Sequence, residues 1–253
     1  MRTIEVLFSP AEFEALRHLD LSATICVVFD VLRATSSMVT ALSNDAKEIL
    51  PVTGIPEAIA LRSTYPDALL AGEREGLRIP PSLTGSVGFD LGNSPREFQK
   101  GVVAGKTIVM TTTNGTRALR ACAHAKKILV SSFLNLRATM NLLERDASTH
   151  LLLVCSGTRE EAAYEDALCA GALCDLLSGT WSQGTVADSA LIAHQLFRYE
   201  KEDLLSGVSR SRNARRLLSH PELKEDVPFC LQRDVLTTVP EMNTNGCVTR
   251  GDY

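Results

Sequence analysis

TICVVF (24–29), DVLR (30–33) and ATSSMVTAL (34–42) follow one another without a break, and their order decides the fold. An apolar run leads into a short polar loop, and the loop into a helix-like stretch. The same order recurs as TIVM (107–110), TTTNGT (111–116) and a helix over 117–125. It recurs again as HLLLV (150–154), CSGTRE (155–160) and a helix over 161–177. Short unbroken apolar runs between helices are the mark of strands covered on both faces. Residues 68–71 (ALLA) and 4–8 (IEVLF) predict two further strands. The pattern predicts an α/β fold: a mixed or largely parallel sheet with flanking helices, its active site at the carboxyl ends of the strands.

Working outward, the segment 72–97 (GEREGLRIPPSLTGSVGFDLGNSPRE) holds 5 Gly, 3 Pro and 3 Ser among 26 residues. It carries no helix or strand periodicity and reads as one long ordered loop, a length that in compact domains usually serves function. Residues 188–219 read as helix with a polar break around 206–209, and 227–253 as strand and loop. The basic residues Arg210, Arg212, Arg215 and Arg216 read as a solvated face in preference to an anion patch. No internal repeat beyond the strand–loop–helix unit and no linker divides the chain, so residues 1–253 are expected to form a single α/β domain.

With 253 residues, 45% hydrophobic and 22% charged, the chain is too apolar and too evenly charged to be disordered. A formal charge of −4 gives no footprint for nucleic acid. The longest uncharged stretches run 12 residues. A membrane span needs about 20 apolar residues, so no membrane association is expected. Glu5, Glu12 and Glu14 stand where a secretory leader would be basic or apolar. Seven cysteines without C-x-x-C spacing read as core residues of a reducing compartment. The expected location is the cytoplasm, and a homo-oligomer is left open. Arginine outnumbers lysine 19 to 7, which suits phosphate or carboxylate recognition and equally a GC-rich genome.

The chemistry-bearing residues sit in the loops. In TTTNGT, Thr112, Asn114, Gly115 and Thr116 precede a helix N-terminus, where free N–H groups favour an anion. Arg117 in the first turn opposes the helix dipole unless an anion lies between. The plainer alternative is a Thr/Asn cap with Arg117 in water. Asp30 and Arg33 flank a buried core and need partners. They form either an internal ion pair that shapes the turn or, equally, a metal ligand or nucleophile (Asp30) with a phosphate clamp (Arg33). Glu165 and Asp166 share stripes with Cys169 and Ala170 and so flank the buried side of their helix. Two decoys fail. GVVAGKT (101–107) has the wrong spacing for a P-loop and precedes a strand. CSGTR (155–159) is too short for a cysteine-phosphatase cradle.

Taken together, FDVLRATSS (29–37), AGER (71–74), GFDLGNSP (88–95), TTTNGTRAL (111–119), SSFLN (131–135), CSG (155–157) and EDALCAGAL (165–173) resemble the 2-phosphosulfolactate phosphatase family. The ordered match covers about residues 4–240. The resemblance implies a Mg²⁺-dependent hydrolase that converts (2R)-2-phosphosulfolactate to sulfolactate and phosphate, a step of coenzyme M biosynthesis in methanogens. Asp30, Glu73, Asp90, Glu165 and Asp166 are then the candidate metal ligands, with the small anionic phosphorylated substrate the only expected partner. Arg33, Arg117 and the TNGT backbone would stabilise the phosphoryl oxygens. Arg74 and Arg96 would read sulfonate and carboxylate, with Asn93, Ser94, Ser156 and Gly157 as further substrate contacts. Metal-activated water is the expected nucleophile. A phospho-aspartyl route through Asp30 ranks second, because Leu32 stands where haloacid-type phosphatases carry a second Asp. A non-catalytic sensor of a phosphorylated acid is the rival function, favoured by an arginine-only pocket and disfavoured by a cluster of three or more candidate carboxylates.

Overall fold

The computed structural model describes residues 3–85, 87–180 and 186–251. Ser86 of the long loop and the last two residues of the expected C-terminal strand-and-loop segment lie outside the described residues. Among the described residues ten strands form the sheet: β1 (Thr3–Leu7), β2 (Thr24–Phe29), β3 (Glu48–Val52), β4 (Leu69–Arg74), β5 (Leu77–Arg78), β6 (Thr107–Thr111), β7 (Lys127–Ser131), β8 (His150–Cys155), β9 (Pro240–Met242) and β10 (Val248–Arg250). Their order is β1-β8-β2-β7-β9-β10-β3-β6-β4-β5.

Two parallel blocks, β1-β8-β2-β7 and β3-β6-β4, are joined by the antiparallel β9–β10 hairpin. The hairpin touches each block through one residue pair, Glu241 opposite Leu129 and Val248 opposite Ile49. Every residue of β2 is buried. Ile25, Val27 and Phe29 enter one core and Cys26 and Val28 another, the period-2 alternation of a strand covered on both faces. The second core holds side chains of both blocks around the uncharged Ala34–Ser43 helix, in which Ala34 to Leu42 are all buried. Against the first core lie the helices Tyr164–Leu177 and Asp188–Glu200. They cross at Gly171, where a Cβ would fall 2.0 Å from the Ala193 carbonyl oxygen. Only glycine permits that approach.

The α/β reading of the three strand–loop–helix units holds, and several of its local boundaries do not. The helix after TTTNGT spans Gly115–Ala121, shorter than 117–125 at its C-terminal end. The expected long loop is partly regular: Gly72 to Arg74 extend β4, and a turn at Glu75 and Gly76 leads back into β5. Short helices follow at Pro81–Thr84 and Pro95–Glu97. Helix 188–219 breaks earlier than expected, after Glu200, because the Asp203 side chain caps a new helix by accepting from Ser206 N. Residues Asp226–Cys230 are helical, where strand and loop were expected. The strands β3 and β7 were not anticipated. β3 carries Pro51, which weakens any strand reading and is accommodated beyond the single pair with β10. None of the described helices is long and apolar enough to cross a membrane.

Candidate active site

A small cleft of about 60 Å³ opens where the chain leaves β2, β4, β6 and β8. Asp30, the first residue after β2, stands half-buried on its wall. Asp30 N donates to Thr35 Oγ1 at 3.0 Å, while Asp30 Oδ1 accepts Ala34 N at 3.1 Å. The carboxylate thus seats the start of the Ala34–Ser43 helix, as an N-terminal acid does. Gly115 closes over its other oxygen. A Cβ there would lie 2.7 Å from Asp30 Oδ2 and 2.8 Å from Ala34 Cβ, so a side chain is excluded. Burial pushes the Asp30 carboxyl up to about 6. The Ala34 N–H and the Ser156 hydroxyl act against that rise, and Glu73 and Glu165 add to it.

The remaining acids stitch the loops together. Asp166 Oδ1 accepts Val31 N at 2.8 Å, and its Oδ2 accepts Gly157 N at 3.1 Å and Ser156 Oγ at 3.3 Å. Burial and then the neighbouring Asp30 and Glu165 hold its carboxyl well above the ordinary range. Glu165 Oε1 accepts Asn213 Nδ2 at 2.6 Å. Glu73 spans two loops: Oε1 accepts Thr113 N at 3.0 Å and Oγ1 at 2.8 Å, and Oε2 accepts Gly76 N at 2.9 Å. Asn114 Nδ2 donates to the carbonyls of Ser156 and Arg159 at 3.0 and 2.9 Å, binding the TTTNGT loop to the CSGTRE loop.

Arg33 does not pair with Asp30. It donates to Asp226 Oδ2 at 2.7 Å and to the Gly76 carbonyl at 2.5 Å, with Asp226 fully buried. Asp226 also accepts Ser94 Oγ at 2.6 Å and Arg96 Nη1 at 3.4 Å. The cleft therefore brings together Asp30, Arg33, Glu73, Asn93, Thr112, Asn114 and Gly157 of the sequence candidates. Glu165, Asp166, Ser94, Ser156, Gly115 and Thr116 form the buried layer behind it. Four candidates are placed elsewhere. Arg117 pairs with Glu160 and Glu14, at 2.8 and 3.3 Å. Asp90 pairs with Arg62 and accepts Leu70 N, both at 2.8 Å. Arg74 donates to the Glu73 carbonyl and Thr111 Oγ1, and Arg96 is held by Asp226 and the Glu222 carbonyl. None of the four lines the cleft.

Sequence reading passed over Glu75, Gly76, Arg159, Asn213 and Asp226, and it read Arg216, which lines the cleft with its Nε buried, as part of a solvated face. An uncharged Asn213 inside the basic run RSRNARR was the available signal for its helix, Arg212–Leu218. Arg159 adopts a left-handed φ of +57°, uncommon for arginine and invisible in the sequence. Cys155 is fully buried and its thiol is raised well above the ordinary value, so it is no thiolate nucleophile.

Among the described residues no group of three or more His, Cys, Asp or Glu is placed to hold a metal ion by itself. Mg²⁺ needs less, since it keeps several waters and takes one or two carboxylates. The donor set suits it: Asp30 and Glu73 line the cleft, and the Glu73 charge raises the proton affinity of Asp30. Asn93 Oδ1 and Asn114 Oδ1 are buried there without a partner. All are hard oxygen donors.

A model of the 2-phosphosulpholactate phosphatase family matches residues 12–245. A Pseudothermotoga lettingae protein named probable 2-phosphosulfolactate phosphatase is 38% identical over 238 residues, covering 94% of each chain. One of the same name from Caldicellulosiruptor saccharolyticus is 38% identical, covering 87% of this chain and 90% of its own length. A third, from Thermotoga petrophila, is 39% identical and covers 85% and 88%.

Proposed function

This chain belongs to the 2-phosphosulpholactate phosphatase family, phosphoric monoester hydrolases, and from that premise we propose that its cleft hydrolyses 2-phosphosulfolactate to sulfolactate and phosphate. The observation that carries the reading is the convergence of Asp30, Glu73 and arginines in one cleft at the strand ends. Carboxylates beside cationic donors suit hydrolysis of a phosphate ester. Cations alone would suit a sensor.

Asp30 accepts a hydrogen bond from the attacking water and orients it. Its carboxyl, near 6 without a metal, is mostly ionised at neutral pH, the form that can do so or hold a metal ion. Oδ1 is fixed by Ala34 N and Oδ2 is screened by Gly115, so the carboxylate is oriented before substrate arrives. Arg33, held by Asp226, presents a fixed positive charge to the phosphoryl oxygens. The water oxygen joins phosphorus and loses its proton to solvent as the bond from phosphorus to the substrate's C2 oxygen breaks, and that oxygen takes up a proton to become the hydroxyl of the product. Asp30, Glu73 and the amide oxygens of Asn93 and Asn114 are the residues that would hold Mg²⁺. When bound, that ion would neutralise phosphoryl charge and acidify a water.

The test is phosphate release from 2-phosphosulfolactate with and without Mg²⁺. Release that requires Mg²⁺ supports the reading; tight binding without release would leave a sensor. Borohydride or hydroxylamine trapping during turnover separates the routes: an unmodified Asp30 supports direct attack, and substrate-dependent modification of Asp30 would establish a phospho-aspartyl enzyme.

A further inference from the structure

Glu75 and Gly76 make the turn between β4 and β5 with left-handed φ values of +55° and +82°. The turn is tied down through Gly76, whose N–H donates to Glu73 and whose carbonyl accepts from Arg33. Its free end is the Glu75 carboxylate, 74% exposed at the mouth of the cleft. That carboxylate stands between two arginines, 3.6 Å from Arg159 Nη2 and 3.8 Å from Arg216 Nη1. Both distances exceed a hydrogen bond, so Glu75 neutralises the pair without satisfying it.

Both arginines are held by the catalytic loops. The Arg159 backbone is anchored by Asn114, and Arg216 Nη2 donates to Asn213 Oδ1 at 3.3 Å. Asn213 is itself fixed by Thr158 and Glu165. Arg216 Nε is buried with no acceptor, an unmet donor on the cleft wall. A buried unpaired donor costs free energy that an incoming anion recovers. The cleft is small, about 60 Å³, and Glu75 stands between the two arginines at its mouth, so an anion that binds both takes the place of its carboxylate.

We propose that Arg159 and Arg216 are the subsite for the substrate's non-reacting anionic group, and that Glu75 occupies it until substrate displaces it. This rests on the hydrolytic reading above and assigns to this pair the role expected of Arg74 and Arg96. A sulfonate has three acceptor oxygens, enough to meet Arg216 Nε and Arg159 together. A lone phosphate ester has no group to place there.

Kinetics on 2-phosphosulfolactate and on 2-phospholactate, which lacks the sulfonate, test the proposal with Arg159→Ala and Glu75→Gln. Both side chains are largely exposed, so both variants are expected to fold. Arg159→Ala raises KM for the sulfonated ester roughly tenfold or more, the scale of one charge-assisted hydrogen bond, and the effect falls on KM rather than kcat. For phospholactate the rise is much smaller. Glu75→Gln lowers KM for the sulfonated ester. Calorimetric titration with sulfolactate gives the same ranking without turnover. Equal shifts on both esters, or no shift in KM and in sulfolactate binding, would overturn the subsite while the phosphatase reading stands. If neither ester is hydrolysed, the phosphatase reading fails. Sulfolactate binding that tightens in Glu75→Gln and weakens in Arg159→Ala would still uphold the subsite, and unaltered or absent binding would end it.

Discussion

Removing the Asp226 carboxylate tests how the cleft is braced. Asp226 is 0% exposed and Arg33, its partner at 2.7 Å, only 2%. Asp226 also carries the hydroxyl of Ser94 and one donor of Arg96. Asp226→Ala leaves the Arg33 guanidinium buried without its counter-charge and Ser94 without its acceptor. Breaking a buried pair from one side costs about 3–5 kcal/mol, a large share of the roughly 5–15 kcal/mol that holds most proteins folded. Arg33→Met removes the charge and keeps much of the packing. The double variant should therefore be much less unstable than the sum of the two singles. The expected coupling is on the order of 2–3 kcal/mol, within the range for residues of one network. Urea unfolding of the four proteins at pH 7.5 gives the cycle. A loss below about 1 kcal/mol for Asp226→Ala, the value of an exposed pair, or strict additivity, would refute the account. Because Arg33 also holds the Gly76 carbonyl, Asp226→Ala is further expected to raise KM through a loosened turn.

Three further outcomes are expected. Asp30→Asn abolishes most phosphate release, by roughly 10²-fold or more. Its stability effect has a definite sign: the native carboxyl binds its proton more tightly than the unfolded chain. In EDTA, the Asp30 contribution to stability therefore falls as pH rises from about 4 to about 6, and the pH dependence of unfolding in Asp30→Asn lacks that contribution. Gly115→Ala forces a methyl against Asp30 and Ala34, costing about 1–3 kcal/mol and lowering kcat; wild-type kinetics would show that the approach is not needed. Burial opposes ionisation of Asp146, but the Ser148 hydroxyl and N–H and the Lys126 ammonium outweigh it and hold its carboxyl far below the usual range. Its stabilisation is complete above the unfolded value near 4 and drains as pH falls through the native one. Asp146→Asn should thus be less stable than wild type at pH 7, and thermal melts should converge as the solution is made strongly acid.

Much of the architecture was legible in short windows, because it depends on local periodicity. TICVVF, TIVM and HLLLV are apolar on both faces, and the structure covers both faces. Their loops carry Asp30, Thr112, Asn114 and Gly157 into the cleft, since a residue just past a buried strand in such a fold has nowhere else to go. β3 stayed hidden because Pro51 contradicts strand propensity; β9 and β10 fall within the expected strand-and-loop tail, but three-residue strands have no period to fix their bounds. The helix Asp226–Cys230 was equally silent, being held by its contacts rather than by an amphipathic pattern.

The sequence by itself determined that Asp30 and Arg33 had to be compensated: both flank a strand and helix with no water around them. Which groups compensate them was decided only when the chain closed on itself. Arg33 found Asp226, 193 residues away, in place of its neighbour Asp30. Asp30 gathered Glu73, Glu165 and Asp166 from two other segments. Arg117 and Arg159 show the same division, since both follow polar loops, yet the first meets Glu14 and Glu160 outside the cleft and the second lines it. Burial is a property of local apolar pattern and can be read along the chain. A charge's partner is whatever the tertiary fold sets within about 4 Å of it, and no local pattern specifies that distance.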